Sequence, residues 1–187
     1  IRTPVDDAIG YIKKTVIGDV MNIKKVRVDK EGTGMGWGAV YAQYLESMDQ
    51  IGEQGNGLSV SRQLYKGDEA LNESAPLKVG DKITVRLTVK ADRDMDFVQI
   101  KDDRAACMEP LQAVSGFRWS NGLGYYQATK DASTQFFIDQ MRKGTYVIEY
   151  QVYVNRTGEY QTGIATVQSA YAPEFGGHTG GYRVMVE

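Results

Sequence analysis

The residues of this chain that could do chemistry are few and scattered. Asp92, Asp94, Asp96, Asp102 and Asp103 crowd one stretch, and the first three alternate in Asp92-Arg-Asp-Met-Asp96. Alternate carboxylates on a tight loop are how a calcium-binding loop begins, because their oxygens can converge on one hard cation. Counted from Asp92, the sixth position is Phe97 where that loop needs glycine, and the twelfth is Asp103 rather than glutamate. The stretch therefore reads as a solvated acidic loop before a strand, with an incidental cation site between Asp92 and Asp103 as the sharper alternative.

The other motifs are weaker. Gly34-Met-Gly36-Trp-Gly38-Ala39 loosely matches a dinucleotide-binding turn, but that turn needs a strand before it, a helix after it and an acidic residue further on. A glycine-rich turn is the reading here. His178, the one histidine, lies in Gly176-Gly-His-Thr-Gly-Gly181 and reads as part of a surface loop. With a single cysteine far away it makes no zinc site, and with no partnering serine it makes no triad, so a hydrolase built on His178 is the least supported reading. Cys107 is a possible nucleophile, although a buried thiol is the commoner fate of a lone cysteine. Asn72-Glu-Ser74 and Asn155-Arg-Thr157 match the glycosylation pattern, which also arises by chance. Nothing in this set makes an enzyme. No catalytic, cofactor-binding or metal-ligating residue is assigned, and no cofactor is implied.

The elements that would position these residues are strands. In Gly144 to Val154 the residues Tyr146, Ile148, Tyr150, Val152 and Val154 share one face, and Glu149 and Gln151 the other. That alternation of β-branched and aromatic residues marks a half-buried strand. Turn residues at Asn155 to Gly158 and a second alternation through Ala165, Val167 and Tyr171 predict one long hairpin, ended by Pro173. Ile83, Val85, Leu87 and Val89 alternate with polar residues in the cleanest strand, and burying each is worth roughly 1.5–3 kcal/mol. A slip of one residue would expose all of them, so this strand should fix the register. Leu58, Val60, Arg62 and Leu64 share one face of a further strand. Phe97–Lys101, Gln135–Met141 and a last strand carrying Tyr182, Val184 and Val186 follow, while Met108 to Asp131 reads as irregular, with Trp119, Tyr125 and Tyr126 as packing anchors. Seven strand candidates after Leu58 and no dependable helix predict an all-β fold, an antiparallel immunoglobulin-like β-sandwich.

Ahead of Leu58 the pattern is looser. Ile9 to Ile17 and Asn22 to Asp29 read as strands, and Ala39 to Ile51 fits both a helical stripe (Val40, Tyr44, Met48, Ile51) and a strand face. Gly52-Glu-Gln-Gly-Asn-Gly57 reads as a linker at a module boundary.

Composition narrows the function classes. Of 187 residues, 42% are hydrophobic and 25% charged, and the net charge is −2. The basic residues do not cluster, so nucleic acid is not an expected partner. No apolar run approaches the ~18 residues of a membrane span. One cysteine excludes an internal disulfide. The chain begins at Ile1 without a methionine or signal peptide, which suggests a mature or excised fragment.

Several quoted pieces together resemble the C-terminal end of bacterial alpha-2-macroglobulin family proteins, in versions from Bacteroides-like bacteria. They are Val79-Gly-Asp81-Lys-Ile-Thr-Val-Arg-Leu-Thr-Val89, Val98-Gln-Ile-Lys-Asp102, Glu109-Pro110, Phe136-Phe137, Arg142-Lys-Gly144-Thr-Tyr146 and Tyr171-Ala-Pro-Glu-Phe175. The resemblance implies that residues 56–187 form a terminal macroglobulin-like β-sandwich. It also implies that residues 1–55 are trailing strands of a split module flanking a thioester-type helical domain, with Ala39 to Ser47 as a strand. Such proteins are protease-trapping inhibitors of the cell envelope or periplasm, some lipid-anchored through their N-terminus, and some use a thioester formed in Cys-x-Glu-Gln. Here Cys107-Met-Glu109-Pro110 has proline in place of the glutamine that forms the bond, so no thioester can form there. The expected role is a non-catalytic structural domain whose partners are neighbouring domains of the full-length protein and the proteases it traps. An adhesin or glycan-binding β module, stacking sugars on Trp119, Tyr125 and Tyr126, is the alternative.

Overall fold

The computed structural model describes residues 13–18, 23–72 and 75–187. The chain divides into two compact units, Ile1–Leu45 and Glu46–Glu187. In the first, the described residues form neither helix nor strand and their side chains are exposed. Local bonds remain, with Arg27 Nε donating to Asp29 at 3.0 Å and Lys30 Nζ to the carbonyls of Gly32 and Thr33. The expected strands over 9–17, 22–29 and 39–47 are thus absent from their described residues, while 9–12 and 22 lie outside the description. Trp37, Tyr41 and Leu45 alternate as a strand would but are all more than nine-tenths exposed. Alternation makes a strand only where a neighbouring strand supplies ladder partners and a face to bury against.

The second unit opens with a 3-10 turn at Met48–Gln50. Fourteen strands follow: β1 (Gln54–Asn56), β2 (Leu58–Lys66), β3 (Glu69–Ala70), β4 (Lys82–Ala91), β5 (Met95–Asp103), β6 (Met108–Pro110), β7 (Gly116–Ser120), β8 (Leu123–Thr129), β9 (Ser133–Met141), β10 (Gly144–Val154), β11 (Gly158–Gln161), β12 (Ala165–Ser169), β13 (Gly176–His178) and β14 (Arg183–Val186). Hydrogen bonding runs in the order β6-β10-β4-β2, then through β1 and β13 to β12-β5-β9-β8-β7, with β3 beside β2 and β11 paired to β14. The path doubles back on itself. Arg62 on β2 and Tyr150 on β10 both hydrogen-bond Asp102 on β5, and the Phe136 ring on β9 lies 5.9 Å from that of Tyr150. Strands that share no ladder therefore touch through their side chains. β6-β10-β4-β2 is one layer of an antiparallel, immunoglobulin-like β-sandwich and β12-β5-β9-β8-β7 the other.

The core follows the predicted alternation. Ile83, Val85, Leu87, Val89 and Ala91 of β4 are buried, and β10 answers with Ile148, Tyr150, Val152 and Val154. The two strands pair over ten positions, from Gly144↔Ala91 to Tyr153↔Lys82. Val98, Ile100, Phe136, Ile138, Ala165 and Val167 close the core from the opposite layer.

Three sequence readings need correction. First, Gly144 to Phe175 is not a hairpin: β10 pairs with β4 and β6, whereas β12 pairs with β5 and β13. Both strands bear one apolar face, and such a face is satisfied equally by a neighbour in the sheet or by the opposing sheet. The intervening Asn155 is anchored to the β6 region, its N–H on Cys107 O and its Nδ2 on Glu109 Oε1. Second, Gly52 to Gly57 is not a free linker. β1 lies between β2 and β13, and the chain enters β2 through Gly57, which has φ +69° and the Phe175 ring where a Cβ would sit. Third, the stretch taken as irregular holds β6 and the β7–β8 hairpin. Asn121 and Gly122 have φ of 51° and 78°, as a two-residue primed turn requires.

Leu87 is fully buried on the register-setting strand. Leu87→Ala should destabilise the chain by about 2–5 kcal/mol, read as a lowered urea midpoint with an unchanged slope; a loss below about 1 kcal/mol would mean that the layers do not close over β4.

Candidate functional site

The main polar feature of the sandwich lies inside it. Arg62 falls on the buried face of β2, in phase with Leu58, Val60 and Leu64, and its side chain is only 4% exposed. A charge there must be paired, and the opposite layer supplies the partner. Arg62 Nη1 donates to Asp102 Oδ1 at 2.6 Å and to the Asp103 carbonyl at 3.2 Å. Nη2 donates to Thr162 Oγ1 at 3.0 Å and to the Gly163 carbonyl at 2.6 Å. Tyr150 Oη donates to the other Asp102 oxygen at 2.7 Å, and the Tyr182 ring lies 5.4 Å from the guanidinium carbon. Arg62 Nε has no hydrogen-bond acceptor. Gly163 makes room for this arrangement, since a Cβ there would fall 2.3 Å from that of Asp103.

Electrostatics keep the group tied. Burial pushes the Asp102 carboxyl up, opposed chiefly by the Arg62 guanidinium and the Tyr150 hydroxyl. Burial works to lower Arg62, but Asp102, with Tyr182 and Tyr150, offsets it and the guanidinium ends above its ordinary value. Burial and the neighbouring carboxylate hold the Tyr150 phenol well above its usual range, so it remains a donor. The set joins two layers and the segment leading to β14. It has no exposed nucleophile.

A cavity of about 520 Å³ opens beside Arg62, lined by Leu64, Leu71, Leu77, Tyr182 and Val184 among others. The lining mixes these aliphatic walls with polar groups from Arg62, Glu53, Asn72 and Arg183.

The residues singled out by sequence are not brought together. Asp92 is bonded by Arg93 and Asp94 by the Lys143 N–H, while Asp102 faces the core and Asp103 pairs with Lys101. Their carboxylates point to different partners, and among the described residues no three metal-ligating side chains converge. Gly34 to Ala39 has neither the strand nor the helix of a dinucleotide site. His178 is not in a loop: it ends β13, pairs with Gln54 and Thr166, and its Nδ1 lies 3.2 Å from Thr179 O. Cys107 is buried, and burial raises its thiol pKa. Tyr125 is in the core against Phe136, whereas Trp119 stands 77% exposed and Tyr126 is half-buried against Phe117. Tyr125 is thus withdrawn from any sugar-stacking set.

Sequence reading missed the roles of Arg62, Asp102 and Tyr150. One signal was present, an arginine on the apolar face of an alternating strand, and it announces a buried counter-ion without naming it. It also missed the Asn121-Gly122 hairpin, although Asn-Gly between alternating segments is a strong hairpin signal.

A two-layer antiparallel sandwich of this kind is an immunoglobulin-like scaffold. Residues 57–174 match the family model of the bacterial alpha-2-macroglobulin MG10 domain, and the chain belongs to that family. Among solved structures it is similar to a Salmonella alpha-2-macroglobulin (20% identity, TM-score 0.60, covering 72% of this chain and 10% of that one). It is also similar to the Escherichia coli alpha-2-macroglobulin spanning domain MG7 to the C-terminus (17% identity, TM-score 0.61, 72% and 24% covered). The elastase-activated Escherichia coli protein gives a TM-score of 0.63 at 16% identity, with 73% and 14% covered. A curated relative, the circularly permutated Ras protein 2 of Dictyostelium discoideum, is 28% identical over 166 residues, 85% of this chain but 4% of its own length. The chain thus spans a small part of the proteins it matches. Among the described residues no helix is long and apolar enough to cross a membrane.

Two outcomes follow. Arg62→Met leaves the buried Asp102 carboxyl without its guanidinium and should cost about 3–5 kcal/mol at neutral pH, with Arg62→Met/Asp102→Leu recovering part of the loss. In the single variant burial still pushes Asp102 up and the guanidinium no longer opposes it, only the Tyr150 hydroxyl, so its folded pKa lies further above the unfolded value of about 3.9. Stability from such a group is complete below the unfolded pKa and lost as pH rises through the folded one. The urea midpoint of Arg62→Met should fall more steeply than that of the native chain as pH rises above about 4, and an equal pH dependence in the two would refute the pairing. Separately, Cys107 in the native chain should react with a thiol-specific disulfide reagent far more slowly than in urea, and equal rates would contradict its burial.

Proposed function

We propose that this chain is a non-catalytic structural and interaction domain of a larger alpha-2-macroglobulin-like protein that traps proteases in the bacterial cell envelope or periplasm. The family match over residues 57–174 carries the reading. It is supported by the way reactive groups are used: Asp102 is committed to Arg62 and Tyr150, and Cys107 is buried. The domain's contribution is then mechanical. It offers a rigid sandwich and presents surfaces to neighbouring domains. On this reading residues 1–55 supply strands to an adjoining split module, which fits the exposed alternation of Trp37, Tyr41 and Leu45.

The test uses the full-length parent. Trypsin should cut it, change its dimensions in small-angle scattering, and then hydrolyse a small chromogenic peptide normally while digesting casein at least about tenfold more slowly. If cleavage leaves the dimensions unchanged and casein digestion undiminished, the trapping role is lost.

A further inference from the structure

The two ends of the strand path are treated differently. At one end β6 is three residues long and finishes at Pro110, which has no N–H to offer a further strand. At the other end β7 carries Gly-Phe-Arg-Trp-Ser, with no proline and no covering strand among the described residues, and its one charge, Arg118, turns back onto Gln112 and the Val114 carbonyl.

The hairpin geometry says which backbone groups this edge exposes. Ser120 and Leu123 flank the two-residue turn and form its hydrogen-bonded pair; counting back along the ladder, Arg118↔Tyr125 and Gly116↔Gln127 are the next such pairs. The N–H and C=O groups of Phe117 and Trp119 therefore point away from β8. No backbone bond reaches them among the described residues.

The side chains of these same two residues are apolar and exposed, Phe117 at 79% and Trp119 at 77%. They are also held in place. The Phe117 ring packs edge-on against Tyr126, with centroids 5.1 Å apart. The Trp119 ring lies over Gly124, where a Cβ would come within 2.9 Å of it. Val114, just before the strand, is exposed as well. Proteins ordinarily blunt such an edge, and one left open between rigid aromatic side chains is a template for strand addition.

The geometry points to β7 as an acceptor edge for an extended strand from another domain of the same larger protein, with apolar residues at alternate positions to lie beside Phe117 and Trp119. The occupant is assigned to the same polypeptide because this chain spans only 10% of the Salmonella protein it resembles and 24% of the Escherichia coli portion, leaving most of such a protein outside the structure. This rests on the proposed domain role and on no part of the protease-trapping step.

Hydrogen exchange on the intact parent and on this chain alone tests it. In the parent, the Phe117 and Trp119 amides should exchange at least about tenfold more slowly than in the isolated chain, and iodide should quench Trp119 less. Phe117→Pro removes one outward N–H without touching the β7–β8 ladder, and in the parent it should return the Trp119 amide to the isolated-chain rate. Equal exchange in parent and isolated chain overturns the proposal. So does protection that grows with concentration in the isolated chain, which would mean pairing with a second copy. Trp119 shielded from iodide with both amides unprotected would mean a docked surface or a bound glycan without strand pairing, and overturns it too. The trypsin and casein assay reads the trapping role independently of all these outcomes.

Discussion

The guanidinium of Arg62 has to be neutralised inside the sandwich, and much of the tertiary arrangement follows from that requirement. An unpaired buried cation would be strongly destabilising, and Arg62 is met by Asp102 and the Asp103 carbonyl from β5 in the opposite layer and by the Gly163 carbonyl from the segment before β12. Because the donors of arginine form a fixed planar fork, its partners must arrive at set positions. Apolar packing alone would allow the two layers to slide by small amounts. The fork restricts that freedom, coupling β2, β5 and β10 at one point.

The same junction ties down the end of the chain. Thr162 accepts from Arg62 and from the Tyr182 N–H, and its own N–H donates to the Tyr182 carbonyl. The β11–β14 pair, too small to be stable alone, is thereby held against the larger sheet. Asp102 and Tyr150 are engaged in this network, and Cys107 is buried. The two ends of the strand path differ, β6 finishing at Pro110 and β7 leaving Phe117 and Trp119 exposed at its edge.

How much of this was legible in the sequence depends on the range of the interaction. Strands such as β4 and β10 are written in local alternation, since each side chain's face follows from its parity along the strand. Family membership was legible in short motifs spread between Val79 and Phe175. The hairpin reading of Gly144 to Phe175 failed because parity reports which face is apolar and not which strand covers it. The alternation around Trp37 to Leu45 forms no strand among the described residues, because parity supplies no ladder partner by itself. The β7–β8 hairpin was legible in Asn121-Gly122, and reading the stretch by its aromatic anchors alone obscured it.

By itself, then, the sequence determined the all-β class, the inward set on β2, β4 and β10, and the absence of a thioester at Cys107-Met-Glu-Pro110. Those depend on residue type and on spacing within a few positions. Only the tertiary structure decided that Arg62 meets Asp102, that β10 and β12 belong to opposite layers, and that Phe117 and Trp119 stand at an open edge. Each of these joins or separates residues far apart in the chain, and strand pairing over such distances is chosen by the closure of the whole core rather than by any local pattern.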